Sequence, residues 1–301
     1  MKSNASAVKP CATDRVVYSA NTIFLTIFLL VVLYPFLYIL SCSFSSGQAL
    51  NSGRVVLFPV EFTTEGYKAI FQYRDIWTGF ANSFINTIAF TVIGLILTIL
   101  CAYPLSRTDL IGKKPLLFLF LFTMLFNGGL IPNYLLVMKL GLRDTMWSIV
   151  LPGALSAYNM IVARTYFMTS IPKELHESAE LDGCGEFRFL VSIVIPLSKA
   201  IIAVLVLWLA MWQWNMYFNP MIYLNNKAKY PLQLVLREIL LMANVDFTKA
   251  ATNPDLYYKN QQLSAILRYG TIIISSLPLM MLYPFIQKYF VHGIMIGSVK
   301  G

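Results

Sequence analysis

The sequence predicts an all-α, polytopic integral membrane protein with six transmembrane helices, and three observations predict it. Of the 301 residues, 57% are apolar and only 12% are charged, about half the charged fraction of an ordinary soluble domain, which is roughly 25%. The mean hydropathy is +0.66. The apolar residues also fall in runs close to the roughly 20 residues that one helix needs to cross a bilayer.

The first run is Ile23–Leu40, inside a stretch from Arg15 to Arg54 that carries no charge between its ends. It exceeds the roughly 7–15 residues of a secretory signal core and has no prompt small-residue cleavage site, so it reads as a retained helix with a kink at Pro35. Ala81–Ser106, Pro115–Met138 and Thr145–Ala163 are uncharged runs that follow in order. Ala200–Leu224 and Tyr269–Ile286 complete the six.

What remains is hydrophilic: an N-terminal tail (1–20), a loop near 43–80 and the short turns "SRTDLIGKK" and "KLGLRD". An acidic loop (171–196), a long segment (225–265) and a C-terminal tail (291–301) complete the list. None can hold a soluble domain, so residues 21–290 are expected to form a single membrane domain. Within the long segment, Tyr230–Val245 is apolar apart from Arg237 and Glu238, and Pro231 suits a first helical turn. It is too short to span, which leaves an interfacial or re-entrant helix. That helix either packs on the others as a lid or offers a surface to an external partner.

The net charge of +9 does not point to nucleic acid, because Lys and Arg are scattered at helix ends as membrane anchors. Lys2, Lys9 and Arg15 lie in the N-terminal tail, and Arg107, Lys113 and Lys114 crowd one turn. With six helices these belong to one side, and the positive-inside bias places both termini and the acidic loop in the cytoplasm. The cysteines Cys11, Cys42, Cys101 and Cys184 form no CxxC pair and read as free thiols.

The acidic loop is the anomaly. Glu174, Glu177, Glu180, Asp182 and Glu186 are five of the fourteen acidic residues of a chain that otherwise shuns charge. Pro172 can open a helix at no hydrogen-bond cost, and Glu174 then sits near the positive end of its dipole. Leu175, Ser178, Ala179 and Asp182 share a face at three- and four-residue spacing. Gly183 and Gly185 allow a stop and reversal before a second amphipathic piece that runs to Pro196. Small residues such as Ser178 and Ala179 let another backbone approach, so the loop reads as a docking hairpin rather than a plain solvated connection.

Glu177-Ser178-Ala179, then Gly183, Ile193 and Ile195-Pro196, resembles the EAA loop of permease subunits in binding-protein-dependent ABC importers, whose pattern is roughly E-A-A-x3-G-x9-I-x-L-P. Ser178 replaces the second Ala and Ile195 the Leu. "NSFINTI" (Asn82–Ile88), "AYPLSR" (Ala102–Arg107), Ile131–Pro152, "WNMYFNP" (Trp214–Pro220) and the ending "GSVKG" are similar to the carbohydrate branch of that family. "NPDLYYKNQQLSAILRYG" and "GIMIGSVKG" are similar to the subgroup associated with complex oligosaccharides. The resemblance implies the type I importer permease fold, with the acidic loop as a cytoplasmic coupling helix seated in a separate ATPase subunit. Glu174, Glu177, Ser178, Ala179, Asp182, Gly183, Ile193 and Pro196 would carry that coupling, Glu177 pairing with basic groups of the ATPase. It further implies a second, homologous permease, two ATPase subunits that bind ATP and Mg, and an extracytoplasmic substrate-binding protein.

The chain itself is expected to bind no cofactor or metal. "LIGKKP" lacks the first Gly and the hydroxyl residue of a phosphate-binding loop, and the only histidines, His176 and His292, lie in separate segments. The six runs hold no carboxylate, which argues against a proton- or sodium-coupled secondary transporter. An importer for peptides or amino acids is the alternative within the same machinery. For substrate, Trp208, Trp212, Asn215 and Asn219 are expected on one helical face, with Tyr158 and Asn159 as a second group. Aromatic rings beside amides suit sugars, though an interfacial aromatic belt is the alternative.

Overall fold

The computed structural model describes residues 12–242 and 254–296. The outer parts of both tails, residues 243–253 of the long segment, Cys11 and the ending "GSVKG" lie outside the described residues. All regular structure among the described residues is helical, so the expected all-α polytopic architecture is the one observed. The helices are α1 (Ala12–Ser43), α2 (Gly47–Asn51), α3 (Glu65–Gln72), α4 (Arg74–Ser106), α5 (Lys113–Leu125), α6 (Leu130–Lys139), α7 (Trp147–Val150) and α8 (Ala157–Ser170). They continue as α9 (Lys173–Leu181), α10 (Glu186–Leu197), α11 (Lys199–Trp214), α12 (Phe218–Tyr223), α13 (Leu232–Met242) and α14 (Pro254–Ile296).

Three of these are long and apolar enough to cross a bilayer: α1, α4 and the Ser264–Leu282 part of α14. Two more apolar runs become bent pairs rather than straight helices. α5 and α6 meet at 112°, and α10 and α11 at 84°. The straight helix expected over Pro115–Met138 is broken by "FNGG": Gly129 adopts φ +85°, and its N–H bonds Asn127 Oδ1 at 2.9 Å, a local turn that competes with the helix. The run Thr145–Ala163 is also interrupted. α7 ends at Val150, Pro152 and a left-handed Gly153 (φ +84°) follow, and α8 restarts at Ser156, whose Oγ caps the Asn159 N–H.

The chain divides into two compact units. The described parts of Met1–Ile70 and Met242–Ile273 form the first, and those of Phe71–Leu241 and Ile274–Gly301 form the second. In the first, glycines let backbones meet: a Cβ on Gly66 would lie 2.1 Å from Ile266 Cγ2, and one on Gly47 would lie 2.5 Å from Gln262 Cβ. Ser45 Oγ accepts the Val60 N–H at 3.1 Å and Tyr67 Oη bonds Ser43 Oγ at 2.9 Å, which fastens the loop after α1.

The second unit is built on α4. One cluster packs its Ile99, Ala102 and Tyr103 against Met160, Phe167, Phe189 and Leu205; another packs Phe90 against Ile149, Ala154 and Leu209. The face of α4 that begins at Gly79 holds α13. A Cβ on Gly79 would meet Val235 Cγ2 at 3.1 Å, Ser83 Oγ accepts the buried Leu232 N–H at 2.8 Å, and Asn82 donates to the Ala228 and Tyr230 carbonyls. α13 buries Leu232, Leu234, Val235, Leu236 and Ile239. The described part of this segment therefore packs on the chain's own helices, as the first of the two expectations has it.

Candidate functional site

The interruption between α7 and α8 builds a cleft. Irregular backbone at membrane depth is tolerated only where protein buries it or it lines a cavity, and residues 153 and 155–159 do line one, of about 950 Å3. Its other walls come from Phe90 of α4, Thr123 and Met124 of α5, and residues 208, 209, 211, 212 and 215–218. Gly94 makes the close approach possible, since a Cβ there would sit 2.7 Å from the Ala154 carbonyl oxygen.

Five of the six residues expected on a substrate path meet in this cleft: Tyr158, Asn159, Trp208, Trp212 and Asn215. The Tyr158 and Trp208 rings lie 5.7 Å apart, Trp212 is 65% exposed, and the Asn215 amide donates to the Met211 carbonyl at 2.9 Å. The single helical face expected for Trp208 through Asn219 does not exist. α11 stops at Trp214, so Asn219 falls on α12, half-buried and away from the cleft. Trp214 turns the other way. It is buried beside Phe80 and Phe84 and donates its indole N–H to the Ser275 carbonyl at 2.9 Å. Among the described residues that line the cleft, none carries a charge.

At the C-terminal end of α4 stands the acidic hairpin. Pro172 precedes α9, and Glu174 lies in its first turn. The helix ends in a Schellman turn: Cys184 N–H bonds the Ala179 carbonyl and Gly183 N–H the Glu180 carbonyl, both at 2.9 Å, with Gly183 at φ +73°. Glu174, Glu177, Ser178, Asp182 and Gly183 are exposed. Ala179 is not: it packs with Phe189 and Tyr103 in the chain's own core. The expected face of Ser178 and Ala179 is thus split, because the inward side of α9 is set by Leu175, His176 and Ala179. α10 opens a π-helical turn at Leu190–Val194, and Ile193 packs half-buried there. Pro196 is exposed just before the bend at Ser198.

The comparisons with known proteins agree on one assignment. The chain is 36% identical over 288 residues to the polygalacturonan/rhamnogalacturonan transport system permease protein YtcP of Bacillus subtilis, covering 96% of this chain and 98% of that one. It is 38% identical to protein LplC of the same organism over 95% of this chain, and 29% identical to its maltodextrin transport system permease protein MdxG over 93%. Among solved structures it matches a bacterial ABC transporter involved in import of the acidic polysaccharide alginate, with TM-score 0.82, 34% identity, and coverage of 93% of this chain and 99% of the other. No family model matches.

The chain belongs to the ABC importer permeases. Permeases of this family are multi-pass transmembrane subunits rather than enzymes, and they work with further permease, ATPase and binding-protein components.

Several side chains that tie distant parts of this permease together have bonding partners that residue type and spacing do not reveal. Asp144 is one. It takes a left-handed φ of +55°, its Oδ1 accepts the Asn225 and Asn226 N–H groups at 3.0 and 3.1 Å, and its Oδ2 faces Lys229 Nζ at 2.9 Å. Together these clamp "KLGLRD" to the stretch after α12. The Asn226 and Asn225 N–H groups and Lys229 hold its carboxyl at about 2, against an ordinary value near 4. A depressed folded pKa means the clamp's stabilisation is complete above pH 4 and is lost as pH falls through 2. The thermal midpoint of the wild type minus that of Asp144→Asn should therefore be constant from pH 8 to 5 and shrink between pH 4 and 2. A difference that is flat down to pH 2 contradicts this.

Glu186, His176, Tyr103 and Arg107 form a second such group. His176 is only 9% exposed, and its Nε2 lies 2.9 Å from Glu186 Oε1. Tyr103 donates its hydroxyl to Glu186 Oε2, and Arg107 Nη2 is 3.5 Å from Oε1. The faint clue in the sequence was His176, one of only two histidines, at the i−3 position from Ala179.

Proposed function

We propose that this permease forms one wall of the path by which an ATP-driven importer takes up oligosaccharide. The observation that carries this reading is the cleft: an uncharged, aromatic and amide-lined space that gathers Tyr158, Asn159, Trp208, Trp212 and Asn215. Rings accept the C–H faces of pyranoses while amides bond their hydroxyls. Relatives named for polygalacturonan/rhamnogalacturonan, arabinooligosaccharides and maltodextrin transport support a carbohydrate substrate. A uronate carboxylate crossing here would need its counter-charge from another wall, since an unpaired charge in a low-dielectric site is costly.

The importer pairs this chain with a second, homologous permease, two cytoplasmic ATPase subunits that bind ATP and Mg, and an extracytoplasmic binding protein. Both termini and the acidic hairpin face the cytoplasm, and the hairpin seats in an ATPase subunit through the exposed Glu174, Glu177 and Asp182. ATP-driven closure of the ATPases then moves α9 and, through it, the helices that form the cleft.

Affinity purification of the tagged permease from native membranes should recover an ATPase subunit; its consistent absence would remove the importer reading. In the reconstituted importer, the double variant Trp212→Ala/Asn215→Ala should lower oligosaccharide uptake at limiting substrate by about tenfold, the effect of losing roughly 1.4 kcal/mol of contact. Unaltered uptake kinetics would take the cleft off the path.

A further inference from the structure

We propose that Glu186, at one of the nine unspecified positions of the EAA pattern, is the positioning residue that makes the coupling hairpin and α4 move as one piece. The inference rests on the reading of this chain as an importer permease driven through that hairpin. One carboxylate joins three separate parts of the chain: the last turn of α4 through the Tyr103 hydroxyl, the coupling helix α9 through His176 Nε2 at 2.9 Å, and the turn after α4 through Arg107 at 3.5 Å. Below it the Phe189 ring meets His176 edge-on at 4.9 Å and Tyr103 at 6.5 Å, so an apolar floor sets the positions of both donors.

Apolar contacts alone would couple α9 to α4 loosely, because they are non-directional and survive small slips. A carboxylate shared among directional, charge-assisted donors does not slip without losing them. The rod it grips reaches the cleft. Phe90 lines that cleft and Tyr103 holds Glu186, with about 20 Å of unbroken helix between them at 1.5 Å per residue. A push on α9 thus arrives at the cleft wall as a displacement of α4. The neighbouring charges do not substitute for Glu186. Asp109 lies 3.1 Å from Arg107 in the same turn and reaches His176 only through its charge, and Glu180 sits on α9 itself, 3.9 Å from His176 Nδ1, so among the described residues neither is bonded to both α9 and α4.

The test uses the whole importer, purified with its ATPase subunits and reconstituted in vesicles, and reads oligosaccharide transported per ATP hydrolysed. Glu186→Ala and Tyr103→Phe should assemble, keep substrate-independent ATP hydrolysis within about twofold of the wild type, and lose about tenfold in transport per ATP. Glu186→Asp, a shorter carboxylate, should fall between. Tyr103→Phe should add little to Glu186→Ala, since the two act through one bond. Wild-type transport per ATP in Glu186→Ala, or in Tyr103→Phe should the former fail to assemble, overturns the proposal and leaves the importer reading intact. Purified complexes lacking an ATPase subunit overturn both.

Discussion

Replacing Gly183 with Pro is expected to remove at least about nine-tenths of substrate-stimulated ATP hydrolysis, while Gly183→Asn keeps most of it. The physical reason is backbone conformation alone. Gly183 has φ +73° and no atom within 4 Å of where a Cβ would be built, so crowding plays no part. An ordinary L-residue pays roughly 1–2 kcal/mol for that conformation, and Asn pays least among them. Proline cannot adopt it, because its ring locks φ near −65°, and it also deletes the N–H that bonds the Glu180 carbonyl at 2.9 Å. The Schellman turn would open, and with it the angle between α9 and α10. Glu177→Lys probes the same hairpin without touching its fold, since Glu177 is exposed. It should lower stimulated hydrolysis, because it reverses a charge that the proposed seating presents to the ATPase. Wild-type stimulation in an assembled Gly183→Pro importer would show that the hairpin's shape is irrelevant to coupling.

Gly94→Leu should prevent the cleft from forming, and Gly94→Ala should cost about 1–3 kcal/mol as an overpacked core position. Even a methyl group there would lie 2.7 Å from the Ala154 carbonyl oxygen and 3.1 Å from Leu209 Cδ2. The side chain of Leu209 can rotate aside. The carbonyl cannot, because Ala154 belongs to the non-helical stretch held between α7 and α8. Displacing that stretch moves Gly153 and Ser156, which line the cleft. The expected result is a lower thermal midpoint for purified Gly94→Ala with weakened uptake, and little recoverable protein for Gly94→Leu. A Gly94→Leu permease with wild-type midpoint and uptake would contradict the packing described for α4.

Much of this permease was legible in its sequence. The apolar runs, the glycine turn of the hairpin, the exposed Glu177 and the aromatic–amide group around Trp212 all followed from residue type and spacing. The structure departs from that reading where a helix is assumed to continue, and at Ala179, which faces the chain's own core rather than sharing a face with Ser178. Hydropathy predicts one helix each over Pro115–Met138 and Thr145–Ala163, because it counts apolar residues without asking whether the backbone between them stays helical, yet "FNGG" and Pro152-Gly153 break them. Asn219 leaves the face of Trp212 for the same reason: a helical projection assumes that the helix continues past Trp214, where it ends.

Some features depend only on a residue and its near neighbours, and these the sequence settled by itself: partition of apolar runs into lipid, the left-handed turn at Gly183, the exposure of clustered carboxylates. Tertiary structure alone decided which of those carboxylates is shared among donors. Tyr103 and Glu186 are 83 positions apart, and no local propensity or period encodes a bond over that distance. It also decided that Ala179 faces inward and that Gly94 admits Ala154. Such contacts arise when packed helices bring distant backbone together, and their energies depend on distances of a few ångströms that a linear pattern does not contain.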